Sequence, residues 1–530
     1  MKLSFYGATH EVTGSCFLLE ACGKKIMIDR GMEQGPDVYE NVEPPYAPGE
    51  LDAVLLTHAH IDHSGLLPLL AANGYKNQIY ATNLTAALCG IMLRDSAHIQ
   101  EFEAEWRNRK GRRAGQDEYK PLYTVDDAEA AIKLFSPCRY DSVNEIFPGI
   151  SVRFVDAGHL LGSASIEVTV TEDGKATVIV FSGDIGASDK PILRDPHYLT
   201  HADYVVMEST YAQRLHGEDP DYVAELTKVL QRTFDRGGTL VIPSFAVGRT
   251  QEMLYFLREI KQKRLVHGHD GFRVIVDSPL AVEATQIFTQ EGYECYDDEM
   301  LALVKSGVNP LAFDGLELSV TSEESKQINF ETEPKVIISA SGMCEAGRIR
   351  HHLKHNLWKP ENTILFVGYQ AEGTTGRALV EGAKSVKIFG ETIAVNAEIA
   401  QLQGISGHAD DAGLMKWIHS YSPAPRRVFV VHGEDEACTE FTRRLNEEEH
   451  ITAVAPFSGD GWDLSADAQV AFGPVQRSEK KVSAVSTVFT RLLELQKRLA
   501  QVVESNRGLA NKELAKFADQ LAALCDKWEK

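Results

Sequence analysis

Short runs of β-branched and aliphatic residues, each ending on glycine or a polar residue and leading into a helical pattern, recur along the chain. Ala53-Val54-Leu55-Leu56-Thr57 runs into His58, Thr177-Val178-Ile179-Val180-Phe181 into Ser182-Gly183-Asp184, and Val428-Phe429-Val430-Val431 into His432-Gly433-Glu434. Apolar runs too short for helices, alternating with helix-period stretches, predict an α/β fold. In open sheets of this kind ligands gather beyond the carboxyl ends of strands, so the residues that end these runs are the first candidates for chemistry. Between about 207 and 383 the unit repeats with different loops. Leu240-Val241-Ile242 leads into Pro243-Ser244-Phe245-Ala246-Val247-Gly248-Arg249 and a predicted helix over 250–260; Lys335-Val336-Ile337-Ile338 leads into Ala340-Ser341-Gly342-Met343 and a helix through His355. Gly-rich turns that open helices offer backbone N–H groups to an anion, although one such loop alone is more often just a turn. At the end of the chain, Leu492, Leu495, Leu499 and Val502, then Leu514, Phe517, Leu521, Leu524 and Trp528, flank Asn506-Arg507-Gly508. This spacing predicts two amphipathic helices in a hairpin, a docking or dimerising appendage.

Composition narrows the class. With 530 residues, 43% of them apolar and 25% charged, the chain is long enough for more than one buried core, which excludes a disordered or fibrous protein. Its net charge of −22 argues, taken alone, against a nucleic-acid binder. One stretch departs from that background: Arg107-Asn108-Arg109-Lys110-Gly111-Arg112-Arg113 reads equally as a solvated face or a contact for RNA. The eight cysteines are scattered with no C-x-x-C pair, which suits a reducing cytoplasm. The first residues lack the apolar stretch of a signal peptide, and no run approaches the roughly 20 apolar residues that span a bilayer, so a cytoplasmic protein with no membrane partner is expected.

The sharpest chemical signal is Thr57-His58-Ala59-His60-Ile61-Asp62-His63, three imidazoles and a carboxylate after an apolar strand. A core rarely holds so many such groups, because each needs its own hydrogen-bond partner. A mixed nitrogen and oxygen set suits a borderline divalent metal, zinc first, with iron or manganese admissible. His159, Asp184 and His432, each at a later strand end, are ambiguous singly. In this order they resemble the metallo-β-lactamase superfamily, and Asp29, after Lys25-Ile26-Met27-Ile28, matches its first motif, an Asp that orients a ligand histidine. Carried over, the resemblance implies two ions: one on His58, His60 and His159, the other on Asp62, His63 and His432, with Asp184 bridging them. Two adjacent cations lower the pKa of a shared water and stabilise charge on a scissile phosphate.

The middle of the chain narrows the substrate. Met207-Glu208-Ser209-Thr210-Tyr211, Pro243 to Glu252, Ala340-Ser341-Gly342-Met343, Gly368 to Arg377 and Ser406-Gly407-His408-Ala409-Asp410 resemble the motifs of the β-CASP nucleases, over about residues 1 to 470. The resemblance implies a metallo-β-lactamase αββα sandwich (1–206 and 384–472), an inserted Rossmann-like β-CASP domain (207–383) and the helical tail (473–530). It also implies that Glu208 is the acidic residue of motif A, His408 the histidine of motif B and His432 that of motif C. A histidine at motif C matches the RNA-cleaving members, and the opening Gly7 to Cys16 is closer to prokaryotic relatives of the polyadenylation-machinery endonuclease than to RNase J. His408 beside Glu208 would protonate the departing 3′ oxygen, with Asp62 and Asp184 completing the catalytic set. Single-stranded RNA would lie between the domains, its phosphates on Ser244, Arg249, Ser341, Arg348 and Arg377. The expected activity is a ribonuclease with two zinc ions (or manganese), endonucleolytic and also open to 5′-to-3′ action; a DNA nuclease or a catalytically silent RNA-binding subunit is the alternative. A homodimer through the tail is one option.

Overall fold

The computed structural model describes residues 1–35, 39–114, 117–217, 220–402, 404, 406–477, 487–508 and 510–528. Two mixed sheets are built by alternation of large apolar side chains. In strand Lys2–Gly7, Leu3 and Phe5 face one way; in strand Tyr204–Glu208, Tyr204 and Val206 do so and Val205 and Met207 point oppositely. The first sheet has eight strands in the order 468–471, 461–463, 2–7, 16–21, 24–28, 53–55, 79–82, 135–138. The second has seven, in the order 453–454, 427–431, 204–208, 175–181, 164–172, 150–156, 144–147. Their inner faces meet in one core, where Phe5, Phe17 and Ile28 pack with Phe154, Phe181 and Phe429. Burying such a side chain contributes about 1.5–3 kcal/mol.

Helices cover both outer faces. Asp411–Ile418 and Asp435–Glu447 lie on the second sheet through Leu414, Trp417, Phe441 and Leu445. Leu67–Ala72, Asn83–Ala114 and Val125–Ile132 lie on the first. This is the αββα sandwich. Within each sheet the strands nearest the site run parallel: 24–28, 53–55, 79–82 and 135–138 in one, 175–181, 204–208, 427–431 and 453–454 in the other.

A third sheet, all parallel, has the order 316–319, 273–277, 335–339, 240–243, 363–366, 398–401. Helices Tyr222–Asp235, Arg249–Gln262 and Pro279–Glu291 cover one face and Ile349–Asn356 the other, a three-layer Rossmann-like arrangement. This sheet takes its outer strand, Glu398–Gln401, from beyond residue 383, where sequence had placed the return to the first domain. Four residues of mixed polarity carry no pattern strong enough to assign them to a sheet.

Residues 476–530 form a separate compact unit. It contains the two expected helices, Thr487–Ser505 and Asn511–Trp528, and Leu495, Leu499, Val502 and Leu524 on them are exposed. The side chains of Leu492 and Trp528, like that of Arg113, lie outside the described residues. Among the described residues no helix is long and apolar enough to cross a membrane.

Candidate metal centre

Nine of the residues singled out from the sequence converge at the carboxyl ends of the two sandwich sheets. Asp29 and His58 follow strands 24–28 and 53–55; Asp184, Glu208 and His432 stand at the ends of 175–181, 204–208 and 427–431. A helical turn, Ile61–Ser64, starts at His60 and carries Asp62 and His63. His159 comes from the loop between strands 150–156 and 164–172.

Donor atoms fall into two groups that share one carboxylate. In the first, His58 Nε2 lies 3.1 Å from His60 Nδ1, which is 3.3 Å from His159 Nε2. Asp184 Oδ2 lies 3.3 Å from His58 Nε2 and 3.4 Å from His159 Nε2. In the second, His63 Nε2 and His432 Nε2 are 3.0 Å apart, and His432 Nε2 is 3.5 Å from Asp62 Oδ2. Asp184 Oδ1 faces these two rings at 3.2 and 3.5 Å. Ligands set tetrahedrally at about 2.0–2.1 Å around one ion stand about 3.3 Å apart, so the spacing suits a small divalent cation in each group.

Proton placement supports the same reading. His63 Nδ1–H donates to Asp29 Oδ2 at 2.7 Å, and His159 Nδ1–H donates to the Gly407 carbonyl at 3.0 Å. The Thr57 hydroxyl donates to Asp29 Oδ2 and therefore accepts from His58 Nδ1, 3.1 Å away. In the neutral form each of these rings turns an Nε2 lone pair into the cluster. Lone pairs that meet with no proton between them repel unless a cation sits among them. Asp184 Oδ1 is buried with no hydrogen-bond partner, the mark of an acceptor that awaits a ligand. The residues present fit a pair of divalent ions.

Electrostatics agree. Burial first, and neighbouring imidazoles second, lower His58 and His159 and bring His60 to about 3, so these rings are neutral at pH 7, as metal ligands must be. His63 differs: burial would lower it, but Asp184 and Asp29 outweigh burial and hold the ring well above its ordinary value, so an ion in the second group would displace a proton from His63. Burial opposes charge on Asp184, yet His432, His63 and His58 keep it well below the ordinary carboxylate range.

Beside the cluster, His408 Nδ1 lies 3.3 Å from Glu208 Oε1 and 3.9 Å from Asp184 Oδ2. Glu208 is fully buried and held by the backbone N–H groups of Ile185 and Thr210, whereas His408 is partly exposed. Burial works against a proton on His408, but Glu208 and Asp184 prevail and raise it to about 9. Its Nε2 takes no part in these contacts and is the nitrogen left for proton transfer.

Three family models match the chain: the metallo-β-lactamase superfamily over residues 11–269, the Beta-Casp domain over 250–379 and the Zn-dependent metallo-hydrolase RNA specificity domain over 392–456. Ribonuclease TTHA0252 of Thermus thermophilus is 36% identical over 464 residues, covering 87% of this chain and 99% of that protein. The chain belongs to the β-CASP family of the metallo-β-lactamase superfamily. Transcription termination factor FttA of Methanosarcina mazei is 33% identical over 470 residues, 86% of this chain and 70% of that protein; FttA of Methanocaldococcus jannaschii is 30% identical over 459 residues, 84% and 69%. Membership makes the protein a metal-dependent hydrolase.

In this β-CASP protein the residues expected to hold phosphate are engaged elsewhere. Arg348 gives Nη1 to Asp277 Oδ1 at 2.7 Å and to Ser319 O at 3.3 Å, and Nη2 to Val320 O at 2.5 Å. Arg249 is bound to Glu252 at 2.6 Å and Arg377 to Glu381 at 2.6 Å. Ser244 is buried, donating to Phe245 O and accepting from Thr250, and Ser341 turns back on Ala346. For Ser244 and Arg348 these contacts lie within their own domain and are buried or multiple, which corrects the expectation drawn from loop composition; the exposed i,i+4 pair of Arg377 with Glu381 is weak and leaves that guanidinium open to a phosphate.

Other residues at the centre carried no assigned role. Thr57 ties Asp29 to His58, and Thr210 Oγ1 lies 3.1 Å from His432 Nδ1; a hydroxyl flanking each ligand motif was the available signal. Gly31 is a second. A Cβ there would fall 1.6 Å from the Asp62 carbonyl oxygen, so only glycine lets the Asp29 loop lie on the turn that carries Asp62 and His63.

Proposed function

We propose that the protein is a ribonuclease that hydrolyses phosphodiester bonds of single-stranded RNA, cutting internally and leaving 5′-phosphate and 3′-hydroxyl ends. The observation that carries this reading is the Asp184 carboxylate, one oxygen turned to His58 and His159 and the other to His63 and His432, with His408 and Glu208 alongside. The RNA specificity domain over 392–456 and the ribonuclease of Thermus thermophilus support RNA as the substrate.

His58, His60, His159 and Asp184 would hold one divalent ion, and Asp62, His63, His432 and Asp184 the other; the nitrogen-rich set favours zinc, with manganese second. When bound, such ions ease the deprotonation of water and offset charge on the phosphate. The chain supplies the rest. Asp29 and Thr57 lock the tautomers of His63 and His58, so the donor atoms are oriented before any ion arrives. Glu208 holds the His408 ring by Nδ1 and keeps it protonated, so Nε2 can give a proton to the departing 3′ oxygen.

End-labelled single-stranded RNA and DNA, incubated with wild type, Asp62→Ala and His408→Ala, test this. The expected outcome is internal fragments from RNA, loss of cutting in Asp62→Ala, and a fall of about 10²–10⁴-fold in kcat for His408→Ala with metal content kept. The wild-type rate should drop at alkaline pH as His408 loses its proton, and Glu208→Gln, which removes the charge that raises His408, should move that drop to lower pH. Mononucleotides released only from a free 5′ end would replace the internal cut by 5′-to-3′ action. DNA cut in preference to RNA would favour the DNA nuclease, and variants as fast as wild type would overturn the site.

A further inference from the structure

Helix Asn83–Ala114 starts beside the loop that carries His159 and runs for 32 residues. Near its start Thr85 Oγ1 donates to the Gly162 carbonyl at 2.7 Å, three residues beyond His159. From Thr85 to Trp106 the helix advances about 32 Å at 1.5 Å per residue. Along this far half, Ile99, Phe102, Trp106 and Lys110 follow 3, 4, 4 spacing and so share one face. That face is open: Phe102 is 59% and Trp106 50% exposed, although the same helix buries Ala97 and Ala104 on its opposite side.

Cations sit on the rings. Lys110 Nζ lies 3.6 Å from the centre of Trp106, and the Arg107 guanidinium lies 4.4 Å from that of Tyr119. Tyr119, itself exposed, is held in place because Asn108 exchanges two hydrogen bonds with its backbone, at 2.8 and 2.9 Å. The Leu122 backbone N–H donates to Gln100 Oε1 at 3.2 Å. Arg107 and Arg109 also meet Glu103 and Glu105 at 3.4 Å, exposed i,i+4 pairs that hold little energy and yield readily to a phosphate. Among the described residues no carboxylate pairs with Lys110 or Arg112. In a chain of net charge −22, this helix end is basic from 107 to 113 with no acid between.

We infer that the far half of this helix, with Trp106, Tyr119, Arg107 and Lys110 at its centre, is a second binding surface for single-stranded RNA, remote from the metal centre. Exposed aromatic faces stack bases of any sequence, and cations set over those faces are placed to meet the phosphates that follow. An apolar partner surface would not match a row of cations in which Lys110 and Arg112 meet no carboxylate among the described residues and Arg107 and Arg109 only exposed ones, whereas a polyanion with flat bases matches both features. The inference rests on the reading of the protein as an RNA-cleaving enzyme and adds where a long substrate is held. A strand leaving the metal centre reaches the platform only if it spans about 30 Å, so short substrates bypass it.

The test compares two labelled RNAs with the full-length protein, one of about 5 and one of about 25 nucleotides, a range that brackets known single-strand site sizes. Anisotropy gives affinity in the presence of a chelator, which prevents cutting, and turnover is measured with zinc. The paired variant Trp106→Ala/Lys110→Gln is expected to weaken binding of the long RNA by about tenfold or more, to flatten its salt dependence, and to leave turnover of the short RNA unchanged. Trp106→Phe, which keeps a ring, should recover most of the affinity. Equal affinity of wild type and paired variant for the long RNA would overturn the inference, as would an equal loss on both RNAs. So would a change in oligomeric state with RNA binding intact, which would make the face a protein interface. A wild-type protein that neither binds nor cuts either RNA would instead refute the RNA reading on which the inference rests.

Discussion

Two clusters of histidine and aspartate stand at strand ends in this molecule, and they differ in one respect. At the metal centre, acceptors converge with nothing to accept from: imidazole lone pairs of His58 and His159 meet Asp184 Oδ2, and Asp184 Oδ1 has no hydrogen-bond partner. At the end of strand Arg273–Asp277 in the third sheet, every polar atom is matched. Asp277 Oδ1 accepts from Ser319 Oγ at 2.8 Å and Arg348 Nη1 at 2.7 Å; Oδ2 accepts from Ser325 Oγ at 2.5 Å and His352 Nε2 at 2.6 Å. His352 Nδ1 in turn faces Asn329 Oδ1, fixed because the Asn329 amide donates to Ser325 O. Both His352 nitrogens thus have a partner. Residue type does not separate a metal site from an internal strut; the balance of donors and acceptors does.

The comparison breaks most visibly at its two aspartates. Asp184→Asn removes the shared anion, and the expected result is loss of bound metal and a fall in kcat of about 10³-fold or more, since metal stabilisation of transition-state charge is worth several kcal/mol. Elemental analysis with single-turnover rates checks it, and a variant with full metal and full rate would show that Asp184 is not a ligand. Asp277→Asn should do the reverse. It leaves metal content intact and costs about 3–5 kcal/mol of stability in denaturant titrations, because Arg348 and His352 then face a buried group without its charge. Burial would raise the Asp277 carboxyl, but His352, Ser325 and Arg348 hold it at about 2, below its ordinary value. Its contribution is therefore present above the ordinary carboxylate pKa and is lost as pH falls toward about 2, so the gap between wild type and variant should close over that range. A gap that stays constant would mean that Asp277 is not charged in the fold.

The same contrast explains what could be read from sequence. Strand runs and the residues ending them were legible, because hydrophobic period and strand-end chemistry are local. The stretch from His58 to His63 was legible because four ligand side chains in six residues have no economical structural use. His159, Asp184 and His432 were not legible singly, since a lone histidine or aspartate at a strand end fits either cluster; their order and the resemblance to a family carried them. One arginine misled for a physical reason. Arg348 follows a Gly-rich loop and suggests phosphate, but its partner Asp277 lies 71 residues earlier and is buried beside it only after the parallel sheet forms. Thr57 escaped notice because a threonine at a strand end is already accounted for by β-propensity.

Asp29 is the residue where the two kinds of cluster meet, and it gives the finest test. Like Asp277 it is a buried carboxylate with each oxygen occupied: Oδ1 accepts from Thr57 N at 2.8 Å, and Oδ2 from Thr57 Oγ1 at 2.9 Å and His63 Nδ1 at 2.7 Å. Unlike Asp277, what it holds is a ring whose other nitrogen points into the metal centre. Asn at this position places an N–H₂ against one of those donors whichever way the amide is turned. If it opposes His63 Nδ1–H, the ring loses the bond that fixes its tautomer and aim; if it opposes Thr57 N–H, the end of strand 53–55 keeps only the Asp29 N–H to Leu55 O bond as its backbone tie to Asp29. The expected effect of Asp29→Asn is a drop of about 10–100-fold in metal affinity, larger for the group of Asp62, His63 and His432 than for that of His58, His60 and His159, with the folded state retained. Competition with a chelator of known affinity resolves the two groups. Unchanged affinity with a loss of stability would place Asp29 with Asp277 as a strut, and an equal drop in both groups would mean that Thr57, which touches His58 as well, transmits the whole effect.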